Sequence, residues 1–449
     1  MAEFLITTKN TRGGPDLRLR YNTDTSELLN DETGKPIIST LLAVPNGETA
    51  FALSVDTPAP KVSPKKLKIS LGLSCNYECE YCSQRFVPRA AETNPGEVES
   101  FVTGLDDWVK EEPDQIEFWG GEPFVYIKTL RPLAEKLRLK YPKAAFQIIT
   151  NGSLLTPEIN EWLDNMGFQI GLSHDGPGQW VRGPDPLEDA DKRAAILDLW
   201  ARLGPKGRMS FNAMLNRNNA SRAEIQKFFV ELTGDPFVPI GEGSFVDAYD
   251  EGGATNSLQP DEFAAFRNLA FAEIRTGQAT NFSAVRDRVM SFVNSIRVGR
   301  RSSILGQKCG MDRPDNIAVD LRGNVLTCQN VSAASVAPNG QEHKIGHVSD
   351  MANVKLNTST HWSKREECPN CPVLQICKGS CMFLEGDLWE TSCDNAFSDA
   401  IPILAAGIEF LTGCVPTHIE GPQREDRKDI WNRAQPVGKR RVIPISTAQ

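Results

Sequence analysis

No apolar stretch in these 449 residues is long enough to cross a bilayer, and the N-terminal "MAEFLITTKN" lacks the basic start and apolar core of a secretory signal. Those two absences exclude a membrane-spanning helix and point to the cytoplasm. Positive charge is not in excess either. Forty-nine Lys and Arg stand against 58 Asp and Glu, a formal −9, which argues against nucleic-acid binding through the whole surface. The best basic cluster, Lys439, Arg440 and Arg441, reads as a solvated tail. Internal repeats and low-complexity tracts are absent as well. Cysteine is missing from the whole stretch between Cys82 and Cys309, although the chain holds 11.

What is present is therefore clustered. Three cysteines lie in "LSCNYECEYCSQRF" at 75, 79 and 82, and the other eight follow residue 308. In a reducing compartment such clusters hold metal or carry redox chemistry in preference to disulfides. Soft thiolates favour zinc or iron–sulfur clusters. A structural zinc site closes with four ligands, whereas three Cys on one loop suit a 4Fe–4S cluster with one iron free.

The chain is long enough for two or three domains, since single cores stop growing at roughly 250 to 300 residues. Residues 1–65 carry short extended runs, "FLITTK", "LRLRYN" and "TAFALS", between turn formers, and are expected to form a small β-rich appendage. From residue 66 to 255, apolar strands alternate with amphipathic helices. The strands are "LKISLGLS", "QIEFWGG", "AFQIITNG", "FQIGLSHDG", "RMSFNAMLN" and "FVPIGEGSFV". The first helix follows Asn94 as cap and Pro95, and others are expected near 157–166, 190–203 and 221–233. Six successive β-then-α units predict an α/β fold with a parallel sheet, curved or closed as a barrel, and chemistry at the C-terminal ends of the strands. The three-Cys loop, "GGE", "TNG" and "SHDG" all fall at those ends. Residues 256–304 read as two linking helices, 305–400 as a Cys-rich domain, and 401–449 as a helix and tail.

The spacing C-x3-C-x2-C, with Tyr81 before the last Cys, resembles the cluster motif of the radical S-adenosylmethionine (SAM) enzymes. That resemblance implies a partial (β/α)6 TIM-like barrel and a cluster on Cys75, Cys79 and Cys82 whose free iron chelates the methionine end of SAM. It implies that Gly120 and Gly121 of "FWGGEPF" let the backbone approach the cofactor and that Glu122 accepts from its ammonium group. "LSHDGP" is similar to the fourth-strand segment contacting ribose and carboxylate, which designates Ser173 and Asp175. Arg182 either meets the SAM carboxylate or forms a surface salt bridge. Asn151 shapes a turn.

Downstream, "CPNCPVLQICKGSC" resembles the SPASM extension of these enzymes, with two auxiliary 4Fe–4S clusters and hence three in all. Zinc-ribbon binding is the alternative. The family's interleaved ligation implies Cys368, Cys371, Cys377 and Cys393 for one auxiliary cluster and Cys309, Cys328 and Cys381 for the other. Relatives with a fully ligated version of the latter have another Cys shortly after the first; here there is none, so that iron is expected to be open or held by a residue other than Cys. Cys414 fits neither set and reads as a buried thiol. Anaerobic sulfatase maturases carry an Asp just after the Cys equivalent to Cys328, where this chain has Gln329.

The implied activity is reductive cleavage of SAM to a 5′-deoxyadenosyl radical, which takes a hydrogen atom for oxidative modification or crosslinking of a peptide or protein side chain. An electron donor such as flavodoxin or ferredoxin would serve it. The alternatives are radical isomerisation or oxidation of a small molecule or nucleotide-linked group, and a non-catalytic Fe–S electron carrier. Among the five histidines, His343, His347, His361 and His418 read as exposed loop residues. Strand alternation turns His174 away from Ser173 and Asp175, into packing.

Overall fold

The computed structural model describes residues 2–39, 58–91, 93–338, 340–356 and 360–431. Three short strands come first: β1 (Glu3–Asn10), β2 (Arg18–Asn22) and β3 (Glu27–Asn30). Strands and helices then alternate as β4 (Lys66–Ser70), α1 (Val98–Trp108), β5 (Gln115–Trp119), α2 (Ile127–Lys140), β6 (Ala145–Thr150) and α3 (Pro157–Asn165). The alternation continues with β7 (Gln169–Ser173), α4 (Ala190–Leu203), β8 (Met209–Leu215), α5 (Arg222–Thr233) and β9 (Ile240–Phe245). After α6 (Glu251–Thr255), α7 (Phe263–Thr276) and α8 (Ser283–Val298) come β10 (Asn316–Asp320), β11 (Asn324–Leu326) and β12 (Lys344–His347). The chain finishes with α9 (Leu374–Cys377), α10 (Gly386–Thr412) and β13 (Cys414–Glu420).

The central sheet has the order β12-β11-β10-β4-β5-β6-β7-β8-β9, and every pairing from β10 through β4 to β9 is parallel. Its elements start where local chemistry dictates. Asn94 and Glu97 form a reciprocal capping box, Thr156 and Ser221 cap α3 and α5, and Gly234 ends α5 in the left-handed region. Alternate residues of each strand, such as Leu67, Ile69, Ile116, Phe118, Phe146, Ile148, Leu172 and Phe211, are buried against the helices, where Leu105, Leu133, Leu199 and Phe229 meet them. Each such side chain contributes roughly 1.5–3 kcal/mol. The intervening residues turn to the other face, which is polar.

All six expected strands of this sheet appear, as do the helices expected around them. Three further strands were not expected. β10 extends the sheet beside β4, and the antiparallel β11 and β12 lengthen it, so residues after 305 add to the same sheet as residues 66–245. The second sheet, β13-β1-β2-β3, joins both ends of the chain, with Ile6 opposite Ile419. It covers α10 through Phe4, Ile6, Tyr21, Phe397, Ile401 and Leu404. The boundary expected at residue 400 lies inside α10. "TAFALS" and the basic cluster at 439–441 lie outside the described residues. Among the described residues, no helix is long and apolar enough to cross a membrane.

The expectation of exposed loops fails at all four of those histidines: His347 and His418 lie half-buried in β12 and β13, and the other two are buried outright. His343 is buried with its Nδ1 2.7 Å from Thr327 Oγ1, and His361 is buried beside Trp362. His343 packs edge-on against Phe383 from a distant part of the chain, a contact that loop composition does not disclose. His174 is fully buried, stacked on Phe228 and 3.0 Å from Asp185. Cys414 is buried too, and its sulfur accepts from Asn10 at 3.4 Å.

Candidate functional site

The three-Cys loop leaves the C-terminal end of β4 and is fastened to the end of β5. Gly121 N donates to Gly72 O at 3.0 Å and Glu122 N to Ser74 O at 2.9 Å, while Ser74 N donates to the Tyr126 hydroxyl at 2.7 Å. A Cβ on Gly121 would meet the Ser74 carbonyl oxygen, with Leu73 O at 2.6 Å. The missing side chain thus admits the backbone of the cysteine loop. Gly120 is less confined, its nearest neighbour being Gly72 O at 3.2 Å.

Cys75, Cys79 and Cys82 face one another closely enough for their charges to interact. Burial pushes the Cys79 thiol up to about 11; Arg182 opposes this shift, and Cys82 and Cys75 add to it. Burial raises Cys75 as well. Backbone N–H groups of Tyr77 and Gln84 point at the sulfurs of Cys75 and Cys82 at 3.4 Å each. Three neighbouring thiols with N–H donors and a nearby guanidinium form a donor set suited to an anionic iron–sulfur cluster.

Glu122 is buried one residue beyond Gly121. Its carboxylate accepts from Phe124 N at 3.1 Å, Thr150 Oγ1 at 2.8 Å and Asn151 N at 2.8 Å. Burial raises its pKa against those three donors. Asn151 does more than shape a turn: its side chain donates to Asn76 Oδ1 at 3.0 Å, joining the end of β6 to the cysteine loop.

Tyr81, Asp175 and Arg182 form one buried unit. The Tyr81 hydroxyl donates to Asp175 Oδ2, Arg182 Nη1 donates to the Tyr81 oxygen at 2.9 Å, and Arg182 lies 3.5 Å from Asp175 Oδ1. Arg182 is therefore no surface salt bridge. Burial works against its charge, but Tyr81, Asp175 and Cys79 outweigh that and raise its pKa. Its Nε is buried without a partner. Ser173 stands half-buried at the end of β7 on the same rim.

The later cysteines gather in the two expected groups. Cys368, Cys371, Cys377 and Cys393 line one cavity with Trp389, Phe397 and Arg427. Arg427 Nη2 donates to Cys393 Sγ at 3.4 Å, and burial pushes Cys371 up to about 12. Cys309, Cys328 and Cys381 form the second group. Burial pushes Cys381 up to about 12, with the charges of Asp247, Cys328 and Cys309 adding to it. Asn330 N donates to Cys328 Sγ at 3.4 Å. Four soft thiols around one cavity, and three more close enough for their charges to interact, suit cluster ligation by their chemistry.

The polar face of the sheet lines an open cavity of about 550 Å³, bordered by Cys309. Lys68, Glu117, Gln147, Asn212, Cys309 and Gln329 are among its lining residues. Lys68 Nζ donates to Gln329 Oε1 at 3.1 Å and lies 3.7 Å from Glu117. The Asn212 amide lies across Gly171 and Gly241, where a Cβ would collide with it from either side. Sequence reading missed these residues. Their signal was the polar residue at every second position of "LKIS", "IEF", "FQI" and "SFN", which in a buried parallel sheet marks a lined interior.

Residues 70–170 match the family model described as a 4Fe-4S single cluster domain. The cysteine-type anaerobic sulfatase-maturating enzyme of Clostridium perfringens is 25% identical over 344 residues, which cover 68% of this chain and 85% of that enzyme. The serine-type anaerobic sulfatase-maturating enzyme of Bacteroides thetaiotaomicron is 24% identical over 361 residues, covering 73% and 85%. The solved structure of native anSMEcpe with bound AdoMet and Cp18Cys peptide has the same fold over 77% of this chain and 99% of that one, with a TM-score of 0.53 at 21% identity. The class is thus a mixed α/β enzyme with a central parallel sheet and an iron–sulfur domain. Its homologues are the anaerobic sulfatase-maturating radical SAM enzymes, of SPASM type.

Proposed function

We propose that the chain modifies a peptide or protein side chain by radical SAM chemistry, its sheet working as a partial (β/α)6 barrel across residues 66–255. One observation carries this reading. The three-thiol loop is fastened to Glu122, Asn151 and the Tyr81–Asp175–Arg182 unit, so that a buried carboxylate and a buried guanidinium stand beside the thiols at the C-terminal ends of β4 to β7. An electron carrier or zinc-binding module has no use for a buried carboxylate and guanidinium fastened beside its thiols.

In this reading Cys75, Cys79 and Cys82 would hold a 4Fe–4S cluster with SAM bound beside it, and the C-terminal cysteines would hold two auxiliary clusters. When bound, the cluster and SAM supply a 5′-deoxyadenosyl radical that takes a hydrogen atom from substrate. The chain's own residues position and enclose. Glu122, fixed by three donors, keeps lone pairs for an ammonium group. Arg182 offers its unpartnered Nε to a carboxylate. Gly120 and Gly121 hold the loop against β5, and Ser173 and Asp175 border the ribose. Gln147, Asn212 and Gln329 give the cavity carboxamides, which suit the amides of a peptide.

The sulfatase-maturing relatives support a peptide substrate. At the position where the maturases' resemblance places an Asp base, however, Gln329 is held by Lys68, so formylglycine formation is not the reaction proposed. Reduction by a flavodoxin or ferredoxin fits the same scheme. The test is anaerobic incubation with SAM, reductant and candidate peptides encoded nearby. A mass change on a peptide that requires SAM supports the proposal. Turnover of SAM with no peptide altered, together with a change in a small metabolite, would favour the small-molecule alternative.

A further inference from the structure

The group Cys309, Cys328 and Cys381 lacks a fourth thiol, and no Cys occurs between 310 and 327. Three residues after Cys309 stands Asp312, a carboxylate only 8% exposed. Cys309 and Asp312 line the same cavity of about 530 Å³. One oxygen of Asp312, Oδ2, accepts from Gln307 N at 2.7 Å; the other, Oδ1, is buried with no partner. A buried carboxylate oxygen without a donor is costly unless a cation or metal completes it.

Its surroundings keep that oxygen in place. The Lys61 ammonium, itself buried, donates to the carbonyls of Met311, Arg313 and Asn316 at 2.8 Å each, pinning the turn on both sides of Asp312. His361 Nε2 lies 3.9 Å from Asp312 Oδ2 and also has no hydrogen-bond partner. Since His361 Nδ1 accepts from Ser363 N at 3.2 Å, the ring proton sits on Nε2 and faces the carboxylate. A histidine N–H turned toward a carboxylate is the usual outer support of a metal-binding acid. Asp247, the acid whose charge bears on Cys381, accepts from Ser380 Oγ at 2.7 Å.

We propose that Asp312 is the fourth ligand of the auxiliary cluster held by Cys309, Cys328 and Cys381, oriented by His361. This rests on the reading of those cysteines as cluster ligands. It makes the corner closed by oxygen, neither vacant nor sulfur-bound, and therefore more easily opened than a four-thiolate site.

The test uses the full chain with Cys75→Ala, Cys79→Ala and Cys82→Ala, so that only the auxiliary sites load. This background, and the same background with Asp312→Ala or Asp312→Cys, is reconstituted anaerobically. Iron, sulfide and the electron paramagnetic resonance of the reduced and mildly oxidised states are measured, with circular dichroism as the folding control. Asp312→Ala should shift the reduced spectrum and lose about one iron per chain on mild oxidation, giving a three-iron signal, and Asp312→Cys should restore retention. His361→Ala should shift the same spectrum less. Unchanged spectrum and iron in Asp312→Ala overturn the proposal, as does equal loss in both Asp312 variants, which marks a folding role. Absence of sulfide from the background protein instead overturns the underlying cluster reading.

Discussion

Arg182 donates from Nη1 to the Tyr81 hydroxyl at 2.9 Å, linking the segment after β7 to the cysteine loop after β4. Asp175 completes the unit from the end of β7, with Arg182 3.5 Å away. All three are shielded from solvent, so removing the cation leaves a buried carboxylate exposed to no compensating charge. Arg182→Ala is expected to destabilise the fold by about 3–5 kcal/mol. Urea unfolding at neutral pH measures it. Tyr81→Phe should cost less, because the Arg182–Asp175 contact survives.

Gly121 and Gly120 separate two kinds of confinement. In Gly121→Ala the new methyl meets backbone carbonyls of Leu73 and Ser74, which cannot move without carrying Cys75 along. In Gly120→Ala the tightest contact is 3.2 Å. The expected outcome is loss of the first cluster in Gly121→Ala, with the auxiliary iron and sulfide retained, and near-normal loading in Gly120→Ala. Iron and sulfide analysis after reconstitution distinguishes them.

Lys61→Met replaces an ammonium that satisfies three buried carbonyls with a side chain that satisfies none. Each orphaned carbonyl costs roughly 1–3 kcal/mol. Stability should fall by about 3 kcal/mol or more by the same reckoning. The loss should appear first in the Cys309 turn, as faster amide hydrogen exchange across residues 309–316.

Buried Asp399, His343 and His361 shape the acid limb of stability. Burial favours neutral Asp399, but Arg288 and Arg222 outweigh it and hold its pKa well below the ordinary 3.8. Its contribution is therefore present above that value and lost as pH falls toward the lower one. Burial pushes His343 down from 6.5 to about 4, so the unfolded chain takes up a proton first as pH falls through that window, and stability declines across it. His343→Gln should lessen the slope of the stability profile between those two values, His361, pushed down to about 4 by the same burial, supplying the rest, and Asp399→Asn should flatten it below them. Chemical denaturation across pH reads both.

The parallel strands were legible because burial on their helix-facing side leaves strong apolar periodicity, and the helices because caps such as Asn94 and Ser221 mark their starts. The cysteine spacings were legible because ligand chemistry is local. What escaped was non-local or short. β13 pairs with β1 from the far end of the chain, a partnership no local pattern encodes. β11 has three residues and turns at Gly323, too few to show a period. Two of the three donors to Glu122, Thr150 and Asn151, come from a different strand end. Asp312 carries no sequence signal beyond standing near a Cys; only its burial with a bare oxygen singles it out.

The central claim is a cluster at Cys75, Cys79 and Cys82 that presents SAM for one-electron cleavage. It is tested most directly by incubating the anaerobically reconstituted chain and its Cys79→Ala variant with SAM and dithionite and quantifying 5′-deoxyadenosine by mass spectrometry. The account predicts deoxyadenosine from the native sequence and none above background from Cys79→Ala, with auxiliary sulfide unchanged. Equal deoxyadenosine from both, or a native protein that holds zinc and no sulfide at this loop, would contradict it.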